Sequence, residues 1–361
     1  MHVAEWNSEP VVVSHAPTGP PRMWRLWAAA AGTGHTDAVR TVAAGRWAAR
    51  PVFASGGADR TVRLWDAATG RPLGQAFTEH AAEVTHVAFT GPHRDILLTG
   101  DGSGVVLRRQ FRAGTPRSEP LTRLESRIAG IGTADLDDRT LVGVATEDGT
   151  FRIWDAVTSE PHAELHIGAD MAVRRADLGV LDGRPVALTI ADDRSGDCES
   201  PTLTLWDVSA GEPLYEPMTV PEECEVGTLT MLDGRLAVIH GIDAGENHHP
   251  EQATDVQVID VATRRVLGRH RHKRGWSYHA TIARSAGGTV VLVAAENWVA
   301  VMNPYDMGGP DIEEFEYAGH NAFVDCVATA DVAGRTIVAS CDRGNDVQFW
   351  DLDTQERLRP L

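Results

Sequence analysis

The chain has 361 residues, a formal charge of −18, 42% apolar residues, 35 glycines and 19 prolines. Its acidic balance argues against general nucleic-acid binding, which rests on Lys and Arg, and its single lysine, Lys273, is followed by Arg274 and so forms no P-loop. Cys198, Cys224, Cys326 and Cys341 lie in no CxxC spacing and support no disulfide framework, and no run approaches the ~18 apolar residues of a membrane helix.

In chain order, residues 1–21 read as a polar, proline-containing extension with a candidate strand at Val11–Ser14. Met1–Met23 lacks the basic and apolar blocks of a signal peptide, so the expected compartment is the cytoplasm, with no membrane partner. Residues 22–361 read as one repetitive domain. Within it Val52–Ser55 is apolar and β-branched, Gly56–Arg60 is a turn, and Thr61–Trp65 alternates across its faces, which is a hairpin. Asp66–Gly70 turns the chain again, and Arg71–Phe77 supplies a further short strand.

The ending of that unit, LWD, recurs as FRIWD, LTLWD, VQVID and VQFWD. The closing aspartates Asp66, Asp155, Asp207, Asp260 and Asp351 are spaced by 89, 52, 53 and 91 residues. The first and last gaps each hold two repeats of about 45 residues, a propeller-blade period, with degenerate copies at Val105–Arg109 and Val299–Asn303. Seven units follow.

From about Gly34 onward the chain resembles the WD-repeat (β-transducin-like) family. In that family a histidine before the first strand, a Ser or Thr on the second, an aspartate in the turn and a tryptophan on the third form a buried hydrogen-bonded tetrad. By the matching motif the first repeat carries it as His35, Ser55, Asp59 and Trp65. The second repeat keeps His80 and Thr99 but has Arg109 for the tryptophan. The third keeps Asp148 and Trp154 without the histidine, and the last keeps His320, Ser340 and Trp350 with Gly344 at the turn aspartate. The implied fold is an all-β, seven-bladed WD-repeat β-propeller. Closure by an N-terminal strand over Arg22–Ala30 would hide the open edges of the last blade; the competing reading gives that place to Arg357–Leu361.

Repeats four and five exceed the ~45-residue period by about eight residues each, and the excess falls between the second and third strands. Together with the loop entering repeat six, these loops should share one face, where long loops on a rigid scaffold tend to carry function. The candidate binding residues there are Asp192, Asp193 and Asp197 in an acidic loop, His248 and His249 in a second, and His270, Arg271, His272, Arg274 and Trp276 in a basic one. Solvated charge is the competing reading for the acidic loop, and neutralisation of the acidic loops for the arginines. No defined zinc-ligand spacing is present, so no metal or cofactor is expected, and no catalytic residue is assigned.

The resemblance implies a non-enzymatic platform that binds another protein or a peptide through the face of blades four to six. One alternative is a propeller enzyme, a hydrolase, lyase or isomerase acting on a small molecule at the channel mouth with His and acidic residues. Another is a sensor subunit of a bacterial signalling or defence assembly; the scarcity of lysine beside arginine fits a GC-rich bacterial genome.

Overall fold

Apolar residues recur in short β-rich runs separated by Gly, Asp and Asn turns, and each run becomes a strand of an antiparallel meander. The computed structural model describes residues 2–6, 9–14, 22–25, 34–111, 118–136, 139–168, 170–194, 200–220, 226–243, 254–270, 277–295, 298–306 and 320–358. Among them there is no helix long and apolar enough to cross a membrane. The strands form seven small sheets in a ring, a seven-bladed β-propeller, with a further three-stranded sheet at the N-terminus. The blades occupy residues 39–66, 84–123, 128–166, 171–219, 227–270, 277–302 and 324–351.

Seven apolar cores fill the ring, one between each pair of neighbouring blades. The strands are therefore buried on both faces, and their second strands read as continuous apolar runs such as Arg139–Thr146 and Gly288–Ala295. Blade seven meets blade one through a core containing Cys326, Ala339 and Phe349 on one side and Val42, Phe53 and Trp65 on the other. The Phe349 ring lies 5.6 Å from Phe53 and 5.8 Å from Trp65, in tilted contact.

The expected N-terminal closing strand is corrected by the strand pairing. Arg22–Arg25 pairs with Val11–Ser14 and belongs to the sheet formed by His2–Trp6 and Glu9–Ser14. The outer place of blade seven is instead taken by the chain that directly follows it: Arg357 bridges Trp350, and the Leu358 N–H donates to the Phe349 carbonyl at 2.7 Å. Proximity explains the choice, since a tight turn at residues 352–355 returns the chain at once along the exposed edge. Blade one is completed the same way by bridges from Pro72 and Phe77.

Blade four corrects a second expectation. Its inner and second strands, Met171–Leu181 and Arg184–Asp193, run to 11 and 10 residues, so part of the extra length extends the sheet rather than the loop.

Candidate functional site

Each blade is entered at the same end as the turn joining its second and third strands. The contact repeats around the ring: Ala58 N to Ala38 O at 2.8 Å, Gly102 N to Glu83 O at 2.9 Å, Glu147 N to Arg127 O at 2.9 Å, Arg194 N to Asp170 O at 2.7 Å and Arg343 N to Phe323 O at 3.0 Å. These pairs define one rim of the channel.

Beneath the rim, side-chain tetrads fix the blade entrances. In blade one His35 Nδ1 lies 3.0 Å from both Asp59 oxygens, His35 Nε2 lies 2.7 Å from Ser55 Oγ, and Trp65 Nε1 donates to the same Oγ at 2.8 Å. A carboxylate only accepts, so Nδ1 carries the proton and Nε2 accepts from Ser55. Burial raises the Asp59 carboxyl, but hydrogen bonds from His35, Thr36 and Thr61 outweigh it and hold the group well below the usual carboxylate range.

Blades two and seven rebuild this arrangement with a displaced aspartate. His80 meets Asp101 at 2.8 Å and Thr99 at 2.7 Å; His320 meets Asp342 at 2.9 Å and Ser340 at 2.7 Å. Asp101 and Asp342 stand two residues beyond the Thr or Ser, not four. Gly344 is thus no missing partner, since its N–H donates to Asp342 Oδ1 at 2.9 Å. Blade one cannot use the nearer position, where Gly57 stands and a Cβ would meet His35 Nδ1 at 2.9 Å. In blade two Arg109 fills the tryptophan place, its guanidinium 3.7 Å from the centre of the Phe77 ring and 2.5 Å from Glu79.

On the rim itself, charged side chains form a continuous belt across blades seven, one, two, three and four. Arg343 Nε donates to Asp325 at 2.8 Å, and Arg40 lies 3.6 Å from the same carboxylate and 3.9 Å from Glu83. Arg127 reaches Glu83 at 2.9 Å and Glu147 at 3.5 Å, and Arg194 caps the Glu147 carbonyl at 2.9 Å. Beside the belt Phe323 is 46% exposed, with the Arg343 guanidinium 5.5 Å from its ring centre, an aromatic and arginine pair suited to anchoring a partner.

The belt surrounds a channel of about 970 Å³ lined by the inner strands. Arg40, Arg94, Arg127, Arg174, Arg175 and Arg343 line it, against the carboxylates of Glu147, Asp177 and Asp325. Cations therefore predominate in the channel of a chain whose net charge is −18. Burial and the neighbouring Arg175 and Arg127 charges push His86 down to about 3, so this imidazole is neutral at neutral pH.

Of the residues singled out in sequence, Asp192 is half-buried at the end of its strand and paired with Arg174. Asp193 is the adjacent residue at the strand end, in register with Met171. His270 is 2% exposed, and its Nε2 donates to the Asn303 carbonyl at 2.7 Å, tying the outer strand of blade five to blade six. Asp197, His248, His249, Arg271, His272, Arg274 and Trp276 lie outside the described residues. Among the described residues no group of His, Cys, Asp and Glu could hold a metal ion. The belt residues escaped the sequence reading because each is an ordinary charged residue at a blade entrance. Only the repeated spacing of entrances, carried through all seven units, would have aligned them.

The ring and its tetrads define a seven-bladed β-propeller of the kind that serves as a protein-interaction scaffold. One family model matches the chain, WD domain, G-beta repeat, over residues 30–66. That match and the seven-bladed ring support the WD-repeat family. No curated protein matches the chain.

Proposed function

We propose that this chain is a non-catalytic platform that binds another protein or a peptide on the rim face. A partner would insert an acidic or aromatic side chain toward the arginine-lined channel mouth. The observation that supports this reading is the belt from Arg343 to Arg194 with exposed Phe323 beside it. Exposed ion pairs add little to stability, about 0–1 kcal/mol each, so a belt spanning five blades has more to offer in steering and orienting a partner. A cytoplasmic setting fits the free thiols of Cys326 and Cys341.

The test places a photo-crosslinking amino acid at Phe323, and as a control at Val157, which is exposed in the turn after the third strand of blade three. A partner in extract of the source cells should be captured from position 323 and not from 157, and Arg127→Glu with Arg343→Glu should abolish that capture. Equal capture at both positions, or capture indifferent to the charge reversals, would overturn the reading.

A further inference from the structure

Cys326 lies on the inner strand of blade seven, and Cys341 is its direct register partner on the second strand. Both are free thiols, 5% and 0% exposed. Directly opposed residues on antiparallel strands have Cα atoms about 4.5–5.5 Å apart, within the ~4.4–6.8 Å that a disulfide spans, so a bond can form with little backbone movement. The Cys326 thiol donates to the Val42 carbonyl of blade one, with Sγ 3.5 Å from the oxygen.

A third group arrives from blade six. His279 and Cys326 both line the channel. The Val327 N–H donates to His279 Nδ1 at 3.5 Å, which marks Nδ1 as the unprotonated nitrogen of the neutral ring and holds it against the Cys326 segment. Asp177, fixed by Thr228 Oγ1 at 2.8 Å and Leu229 N at 2.9 Å, lines the same channel. A core packing role requires two small apolar side chains and no imidazole between blades.

We propose that Cys326 is a hydroperoxide-reactive thiol served from the channel, with His279 as its proton acceptor and Cys341 as the resolving thiol. The roles are asymmetric. The adjacent Cys341 thiol and the His279 imidazole draw the Cys326 thiol well below its ordinary value against the effect of burial; burial and the adjacent Cys326 push the Cys341 thiol up. Burial opposes charge on His279, but Cys326 outweighs it and raises the imidazole.

His279 takes the Cys326 proton on Nδ1, its unprotonated nitrogen, giving up the long hydrogen bond from Val327 N–H, and the thiolate sulfur attacks the terminal oxygen of the hydroperoxide. The O–O bond breaks, the alcohol or water leaves with the proton from His279, and Cys326 becomes a sulfenic acid. The Cys341 sulfur then attacks Cys326, forming the disulfide; the sulfenic hydroxyl leaves with the Cys341 proton as water. Two thiols lose two electrons in all, and one peroxide bond is reduced. Hydrogen peroxide, close to water in size, fits a channel of about 970 Å³, whereas the small exposure of Cys326 excludes bulky reagents.

The test treats the reduced full-length protein with hydrogen peroxide and maps all four cysteines by peptide mass spectrometry. The expected product is a Cys326–Cys341 disulfide formed ahead of any change at Cys198 or Cys224. Cys341→Ser should stop at a Cys326 sulfenic acid, trapped by dimedone when the peroxide is removed and the protein is unfolded in urea containing the reagent; Cys326→Ser should leave Cys341 reduced, and His279→Gln should slow the reaction by about a hundredfold with the urea midpoint unchanged. Cys326 and Cys341 remaining reduced while Cys198 and Cys224 oxidise would overturn the proposal. So would a folded His279→Gln protein reacting at the wild-type rate; should that variant not fold, the Cys341→Ser trapping decides alone.

Discussion

Asp342 shows how one side chain holds a blade entrance. It accepts from His320 through Oδ2 and from the Gly344 and Asp346 N–H groups through Oδ1, at 2.9 to 3.0 Å. Burial would raise its carboxyl, but these hydrogen bonds win and lower it. A carboxyl lowered in the folded state contributes stability that is fully present above its unfolded value, about pH 3.9, and is lost as the pH falls through the folded value. Asp342→Asn exchanges charge-assisted hydrogen bonds for neutral ones and should cost about 1 kcal/mol at pH 7. In urea titrations at descending pH the gap between wild type and Asp342→Asn should close below about pH 4; a gap that widens in acid would contradict the assignment.

Among the elements, the inner strands of blades three and four approach most closely, and glycine permits it. A Cβ on Gly132 would stand 2.3 Å from Leu178 N, and one on Gly130 would stand 2.4 Å from Ala176 O. Both obstacles are backbone, which cannot rotate away. Gly132→Ala should therefore destabilise the protein by about 1–3 kcal/mol or more through overpacking. Gly34→Ala, with nothing within 4 Å of its added methyl, should leave the denaturant midpoint nearly unchanged. Equal midpoints for the two variants would mean that the blades separate freely, against the packing of Leu178 and Ala176 in the core they share.

At the scale of the whole molecule, the ring closes through the core between blades seven and one, not through an exchanged strand. Phe349 is its largest contribution from blade seven, 4% exposed against Phe53 and Trp65. Truncating a buried Phe to Ala costs about 3–5 kcal/mol. Phe349→Ala should lower the melting temperature, and hydrogen exchange should accelerate first in blades one and seven. Uniform acceleration over all blades would instead indicate a ring that opens nowhere in particular. Closure also fixes the rim, because Arg40 of blade one reaches Asp325 of blade seven at 3.6 Å only when the ring is shut.

The repeat period, the WD endings and the polar residues of the first tetrad are local patterns, so the sequence by itself determined the blade number, the antiparallel meander and the grouping of His35, Ser55, Asp59 and Trp65. Charge and spacing singled out Asp192, Asp193 and His270 equally well, but could not tell a strand-end ion pair from a buried structural imidazole, because burial depends on what packs above a residue. The substitution of Asp342 for the expected turn position was readable only once His320 had a direction in space. The belt from Arg343 through Arg127 to Arg194 and the contact of His279 with Val327 beside Cys326 join residues of different blades, up to about three hundred positions apart. Such contacts carry no local period, and only closure of the ring decided them.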